Sequence, residues 1–185
     1  MKKSMSSDEA LGIGLIVWKG LVLASEKMCG SLLWSAMNFL GSLRRMKGTV
    51  GDLDMVFFFA GIDQMAKMPE LVCQFASTSA DFNLEMCGNR KARMMVLGKQ
   101  VDLSFHLTKE TGAALIHHTG PAEHNIALRQ LAQDLGMSLN DKCITIDGEV
   151  RYFDLEIDVY MQLGLEYIPP QDRTGNLSLA GRGQS

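Results

Sequence analysis

A continuous run of hydrophobic residues, "LDMVFFFA", covers residues 53–60 of the chain. An apolar run of this length that does not alternate with polar residues is typical of a central strand covered on both faces. Asp52 and Asp54 stand at its start, one residue apart. Because side chains alternate along a strand, residues i and i+2 point to the same face. The pattern therefore predicts a buried strand that carries two carboxylates on one face at its beginning.

Shorter patterns predict the elements that surround this strand. They are, in chain order, a helix over residues 9–40, a short helix or loop over 65–75 that is broken by Pro69, and two strands over 83–97 and 99–107 that turn at Gly98. The first helix is strongly apolar, and we expect it to pack on the sheet behind Asp52.

The clearest helical pattern is "PAEHNIALRQLAQDL", residues 121–135. Pro121 suits the first turn of a helix, and Gly136 suits the position after its end. Asn125 and Arg129 are four residues apart and share a polar face of this helix.

A small second unit is predicted around and beyond this helix. Strands are expected near residues 143–152, followed by a helix from about Leu155 to Leu163 that Gly164 stops. Residues 174–185 contain Gly, Ser, Asn and Gln with little to bury, so we expect a flexible tail there.

Composition and charge narrow the function classes. The 185 residues are 46% hydrophobic and 21% charged, which is ordinary for a soluble globular protein. The net charge of −3 argues against a general nucleic-acid coat protein, although basic patches occur at "RRMK" and "GNRKAR". The four cysteines show no C-x-x-C spacing, so neither zinc nor a disulfide framework is indicated, and a reducing cytoplasm fits best. The apolar run near the amino terminus is too short for a membrane span, and acidic residues precede it where a signal peptide is basic.

A third carboxylate, Asp102 in "KQVDLSF", turns the aspartate pair into a candidate metal site. Three aspartates on neighbouring strands can hold two divalent ions about 3.5–4 Å apart, the arrangement used for in-line phosphoryl chemistry. The alternative is that Asp52 is a turn residue and that Asp54 and Asp102 are exposed strand charges. An isolated D-x-D pair favours that alternative.

The upstream segment "GSLRR" shifts the balance towards a phosphate-handling site. Gly41 permits close backbone approach, Ser42 offers a hydroxyl donor, and Arg45 offers a two-point fork for phosphate. A solvated surface pair is the alternative for Arg44 and Arg45.

The motifs together resemble those of the family X DNA polymerases, the DNA polymerase beta group. The resemblance begins with G-S-x-R-R followed by G-D-x-D, and it covers about Gly41 to Arg173. It continues through "GNRKA", "VDLSF", "HHTGPAEHNIALRQLAQDLGMSLND" and "LGLEYIPPQDR", and the last of these is similar to bacterial members. Two departures stand out: His117 and His118 replace an aromatic pair, and Gln100 stands where the beta enzymes have an arginine.

The resemblance implies a minimal α+β form of the family, closest to bacterial members. It implies a nucleotidyltransferase palm over residues 1–110, with a mixed or antiparallel sheet and helices on one face. A small α/β thumb subdomain would follow over residues 111–173, before the tail at 174–185. The residues before Gly41 match poorly, nothing resembles an amino-terminal lyase domain, and the chain stops where bacterial members continue into a phosphoesterase domain.

The resemblance also implies roles for individual residues. The catalytic, metal-binding residues would be Asp52, Asp54 and Asp102, which would hold two Mg²⁺ ions, with Mn²⁺ as an alternative. The nucleotide-binding residues would be Gly41, Ser42, Arg45, Gly51, His117, Thr119, Gly120 and Asn125. The DNA-binding residues would be Lys91, Arg93 and Arg129. Adjacent histidines cannot both face one ligand, so we expect only one of His117 and His118 to contact nucleotide.

The function implied is template-directed addition of deoxynucleotides to a primer 3′-hydroxyl, in gap-filling DNA repair. The expected partners are deoxynucleoside triphosphates and primer–template or gapped DNA, and a cytoplasmic monomer without a membrane partner is expected. Two alternatives remain: a template-independent nucleotidyltransferase and a catalytically degenerate nucleotide-binding module.

Overall fold

The computed structural model describes residues 4–177 and separates the chain into two compact units. The first unit ends at Thr108 and the second begins at Lys109, whereas the sequence analysis placed the boundary at residue 110. Both units combine helices with strands, so the α+β class is confirmed.

The first unit is built on a five-stranded mixed sheet with the strand order β2-β4-β7-β6-β5. The strands are β2 (Ala36–Phe39), β4 (Leu53–Phe59), β5 (Phe82–Cys87), β6 (Lys91–Val96) and β7 (Lys99–Leu107). Only β4 and β7 pair in parallel, and the other three pairings are antiparallel. Two short strands, β1 (Met5–Ser6) and β3 (Thr49–Val50), form a separate antiparallel pair.

Four helices belong to this unit: α1 (Ser7–Cys29), α2 (Gly41–Arg44), α3 (Ile62–Met65) and α4 (Met68–Ala76). The side chains of Leu53, Met55, Phe57 and Phe59 alternate along β4 and join the core that α1 and α4 cover. Val56 and Phe58 on the opposite face of the strand are buried as well. The predicted central strand covered on both faces is therefore confirmed.

Helix α1 packs on this sheet, as expected, but it is shorter than predicted. Its buried residues Ala10, Ile13, Val17 and Leu21 recur every three or four positions and form one apolar stripe. The helix ends at Cys29 because Gly30 adopts a left-handed conformation with φ of 72°, which glycine accepts without strain. The prediction of a helix through residue 40 was wrong beyond this point. Within residues 4–177, no helix is long and apolar enough to cross a membrane.

Two other sequence predictions in this unit need correction. Pro69 does not break a helix; it lies in the first turn of α4, where a missing N–H costs nothing. The strand predicted over residues 83–97 is two strands, β5 and β6, because the chain reverses at Gly88–Arg90 and returns antiparallel.

The second unit contains three helices and a small sheet. They are α5 (Thr111–Thr119), α6 (Ala122–Asp134), α7 (Glu156–Gln162), β8 (Met137–Leu139), β9 (Ile144–Ile146) and β10 (Glu149–Arg151). All strand pairs in the order β10-β9-β8 are antiparallel. Helices α6 and α7 lie where the sequence predicted helices, whereas α5 and β8 were not predicted.

A buried polar network fixes the end of this unit. The guanidinium of Arg173 donates from Nη2 to Glu156 at 2.9 Å and from Nε to the Ile168 carbonyl at 3.0 Å. The Thr174 carbonyl accepts from Nδ1 of His124 at 2.8 Å. The expected flexible tail therefore begins with residues that are held in place, and residues 178–185 of that tail lie outside the described residues.

Candidate active site

Asp54 and Asp102 lie directly opposite each other on neighbouring strands. The parallel pairing of β4 with β7 puts the two residues in register, so both side chains leave the same face of the sheet. Asp52 precedes Asp54 by two residues, in the bend that leads into β4. The structure thus brings together the three carboxylates that the sequence singled out.

The carboxyl of Asp54 has an unusually high proton affinity. Burial, reinforced by the neighbouring charges of Asp52 and Asp102, raises its pKa from 3.8 to about 7, while Arg45 and Arg93 oppose the shift. Three carboxylates that repel one another in a partly buried place are the donor set that a hard divalent cation prefers. The residues present therefore fit a divalent ion.

Asp102 is already held by a cation of the protein. Arg93 donates from Nε to Oδ1 at 2.6 Å and from Nη2 to Oδ2 at 3.1 Å, a two-point ion pair. The pair follows from strand register, because Arg93 lies opposite Asp102 in the antiparallel pairing of β6 with β7. This hydrogen bonding raises the pKa of Arg93 above its ordinary value. Arg93 was expected to contact DNA; in the structure its guanidinium lies on Asp102.

Gln100 is a member of this site that the sequence analysis did not include among the site residues. Its Nε2 donates to Oδ2 of Asp102 at 2.8 Å and reaches Oδ2 of Asp52 at 3.4 Å. The side chain is buried. The i, i+2 spacing from Asp102 on one strand was the available signal, because it places both side chains on one face.

The turn at Gly41 closes one side of the site. Gly41 has φ of 59°, and a Cβ at this position would overlap the carboxylate of Asp54. The backbone N–H of Leu40 donates to the Asp54 carbonyl at 2.9 Å, which fixes the turn against β4. The positive φ and the overlap with Asp54 both require glycine at 41, which agrees with the close backbone approach expected from the sequence.

The remaining candidate residues of the first unit differ in their surroundings. Ser42 lies in the short helix α2, and Arg45 caps the end of that helix. Arg45 is half-buried, and its charge partly offsets the rise in the pKa of Asp54. Gly51 is exposed, and a Cβ there would meet nothing within 4 Å. Lys91 opens β6 with its side chain exposed.

A second group of candidate residues meets around His117 in the second unit. Nη2 of Arg129 donates to Nδ1 of His117 at 2.8 Å, and Nδ2 of Asn125 donates to the His117 carbonyl at 2.7 Å. The polar face predicted from the i, i+4 spacing thus holds the end of α5. A small cavity lies beside it, lined in part by His117, Asn125 and Arg129, with Ile116 and Leu128 among its apolar walls.

The end of α5 carries the other residues expected to border a nucleotide. Thr119 is buried, and Gly120 follows with φ of 64° before a cis peptide bond to Pro121. The rings of His117 and His118 meet edge to face, with centroids 4.8 Å apart.

Comparisons with known proteins agree with these features. The family model described as DNA polymerase beta thumb matches residues 114–174, which lie within the second unit. "DNA polymerase/3'-5' exonuclease PolX" of Bacillus subtilis (strain 168) is 30% identical over 138 residues, which cover 72% of this chain and 23% of that protein. "Repair DNA polymerase X" of African swine fever virus (isolate Warthog/Namibia/Wart80/1980) is 26% identical over 140 residues, which cover 72% of this chain and 79% of the viral protein. The chain is a relative of the family X DNA polymerases.

Family X similarity therefore confirms the resemblance stated from the motifs. The matched region spans about a quarter of the bacterial family X protein but most of the viral one. The thumb match, residues 114–174, includes Asn125 and Arg129 and also the residues of α6 and of the small sheet.

Proposed function

We propose that the chain is a template-directed DNA polymerase of family X that adds deoxynucleotides to a primer 3′-hydroxyl. The observation that carries this proposal is the convergence of Asp52, Asp54 and Asp102 on one face of the sheet, next to the turn at Gly41. The names of the relatives support a DNA polymerase. We assign the first unit to a palm and the second unit to a thumb, with a boundary two residues before the one expected from the sequence.

In this proposal the carboxylates hold the cations that the reaction needs. Asp52 and Asp54 would bind the nucleotide-associated ion, and all three aspartates would share the second. Two Mg²⁺ ions, or Mn²⁺, would activate the attacking hydroxyl and neutralise the leaving phosphates. Asp102 would in addition help to activate the primer 3′-hydroxyl.

Residues of the turn at Gly41 would bind the triphosphate. Ser42 would donate its hydroxyl to a phosphate oxygen, and Arg45 would present its fork. Gly51 would let the backbone approach the phosphates, which agrees with its open surroundings.

Residues of the second unit would contact the sugar, the base pair and the template. Thr119 and Gly120 would border the sugar, and His117 would contact the nucleotide. Asn125 and Arg129 would face the nascent base pair and the template strand. The hydrogen bonds of Asn125 and Arg129 to His117 show that one histidine already links these residues. Lys91 would contact a DNA phosphate, and Arg93 would do so when its guanidinium leaves Asp102.

Gap-filling repair is the proposed setting, by analogy with the viral relative, whose name describes a repair polymerase. We propose that the protein acts as a monomer in the cytoplasm. Four free thiols are consistent with a reducing compartment.

Single-nucleotide insertion into gapped DNA tests this proposal. Each of the four deoxynucleotides is offered with Mg²⁺ opposite each template base, and also to a primer end that lacks a template. Insertion of the complementary nucleotide, lost in Asp102→Ala, is the expected result. Equal insertion without a template would indicate a template-independent nucleotidyltransferase. No insertion with Mg²⁺ or Mn²⁺, despite nucleotide binding, would indicate a degenerate binding module.

A further inference from the structure

The ion pair between Arg93 and Asp102 occupies both oxygens of the third carboxylate. Nε and Nη2 of Arg93 each take one oxygen, at 2.6 and 3.1 Å, and Nε2 of Gln100 adds a third donor at 2.8 Å. An ionised carboxylate offers about four acceptor sites, so these donors leave little room for another ligand bond.

The pair is built into the sheet but is not locked in place. Strand register places Arg93 opposite Asp102, so the Arg93 side chain leaves the sheet next to this carboxylate. The side chain of Arg93 is 42% exposed, however, and that of Asp102 is 22% exposed. A guanidinium with this much exposure can leave its partner for solvent or for an anion without breaking the core.

Asp54 differs from Asp102 in its pairing. No hydrogen bond from Arg93 to Asp54 accompanies the two-point contact with Asp102, and Arg93 acts on Asp54 only through its charge. The three carboxylates are therefore not equivalent towards an incoming cation. Among the described residues, Asp54 meets an incoming cation without a two-point contact of this kind, whereas Asp102 meets it with an arginine already attached.

We propose that Arg93 is the resident counter-cation of Asp102 and that a second divalent ion has to displace it. This inference rests on the proposed two-ion site. One ion binds first at Asp52 and Asp54, and Asp102 becomes a ligand of the second ion only after the guanidinium has moved away. Arg93 is thus a positioning residue that keeps Asp102 from binding a metal ion until the second ion displaces the guanidinium. It thereby sets the order in which the ions bind.

Titration of the full chain with Mn²⁺, followed by the electron paramagnetic resonance signal of the free ion, tests this order. Arg93→Met removes the charge and the fork but keeps an apolar stem. Its weaker Mn²⁺ site should tighten by roughly three- to tenfold, the size expected for a partly exposed charge, while the tighter site changes little. Lys91→Met is the matched control, because it removes the same charge from the same strand two residues away. It should change the weaker site by less than about twofold.

Two results would overturn the inference. One is equal Mn²⁺ binding in Arg93→Met and Lys91→Met. The other is a loss of affinity of about 10–100-fold in Arg93→Met, which is typical of removing a partner that orients a metal ligand. Tryptophan fluorescence confirms that each variant is folded, since both tryptophans pack in the first unit. If the wild type and Asp54→Asn bind Mn²⁺ equally, the proposed metal site itself is wrong, and the inference about Arg93 is overturned with it.

Discussion

Single residues explain why the first unit tolerates three carboxylates together. Gly41 leaves space for the carboxylate of Asp54, Arg93 pairs with Asp102, and Gln100 bridges Asp102 and Asp52. Among the residues that the structure describes, no comparable ion pair reaches Asp54, and the pKa of its carboxyl is raised. The repulsion of the Asp54 carboxylate by Asp52 and Asp102 is therefore not fully offset in the folded protein, and a bound cation would relieve it.

Asp54→Asn should stabilise the protein in the absence of metal, in a pH-dependent manner. The folded protein binds the Asp54 proton more tightly than the unfolded chain does, since its pKa is about 7 instead of 3.8. The wild type therefore loses stability as pH rises from about 4 to 7, and the asparagine variant lacks this loss. We expect the variant to be more stable by about 1–3 kcal/mol at pH 8 and nearly equal at pH 4.5.

Urea unfolding with EDTA, followed by tryptophan fluorescence, measures this difference in the first unit. Asp81→Asn changes an exposed carboxyl and is the matched control. A variant less stable than the wild type at pH 8, or a gain that is equally large at pH 4.5, would show that Asp54 is not destabilised by its charge.

Arg45→Ala should weaken binding of a deoxynucleoside triphosphate by about 1.5–3 kcal/mol, the scale of a charge-assisted hydrogen bond. Arg45→Lys should recover only part of the loss, because an ammonium lacks the fork. Isothermal titration calorimetry with Mg²⁺ measures both variants, and Arg44→Ala removes an adjacent charge as a control. Equal affinity in Arg45→Ala and the wild type would contradict the assignment to phosphate.

At the scale of elements, the second unit depends on a buried histidine that joins its helices. A carbonyl can only accept, so Nδ1 of His124 donates to Thr174, and the neutral ring then accepts at Nε2 from the Tyr160 hydroxyl at 2.7 Å. This ties α6 to α7 and to the segment after Arg173. Burial, with a contribution from Arg173, lowers the pKa of His124 below 6.5, although Thr174, Glu123 and Glu156 oppose the shift.

Acidification should therefore loosen the second unit. Because the folded state disfavours the His124 proton, its contribution to stability is complete above pH 6.5 and is lost as pH falls through that value. The loss should approach about 1.4 kcal/mol per pH unit for this one group. Hydrogen exchange of the amides of α6 and α7, measured between pH 5 and 7.5 and corrected for intrinsic rates, reports the opening. His124→Gln should show a flatter pH profile. An equally steep profile in this variant would assign the effect to another group.

Elements with strong local signals could be predicted from the sequence, and elements set by pairing could not. The apolar run of β4 and the Pro121 and Gly136 boundaries of α6 are local patterns, and the structure confirms them. The reversal at Gly88 was missed because the residues on either side have the same strand-like composition. The contact of Arg93 with Asp102 depends on the register of β6 with β7, which the hairpin turn sets. Sequence motifs identified the carboxylates, but the pairing of strands β6 and β7 determined that Arg93 contacts Asp102.

At the scale of the whole molecule, charge should limit the affinity for DNA. The net charge of −3 repels a polyanion at long range. The cations available for DNA in the two motifs are Arg129 of α6 and Arg90, Lys91 and Arg93 of "GNRKAR", and Arg93 is at the same time paired with Asp102. Each neutralised phosphate adds roughly −0.9 to the slope of log affinity against log salt concentration. We therefore expect weak binding of gapped DNA with a shallow slope of about −3 to −5.

Fluorescence anisotropy of labelled gapped DNA across a salt series tests this expectation. Lys91→Ala should flatten the slope by about 1 without changing which nucleotide is inserted, because phosphate contacts position the DNA and do not specify its sequence. Arg93→Ala should flatten it less, since its charge is already paired with Asp102. Arg129→Ala should instead reduce the preference for the complementary nucleotide. A wild-type slope of about −8 or steeper would mean that many more phosphates are neutralised. Cations other than those assigned to DNA above would then have to form a DNA-binding surface. Helix α1, which the family motifs do not cover, would be the first element to test by charge reversal.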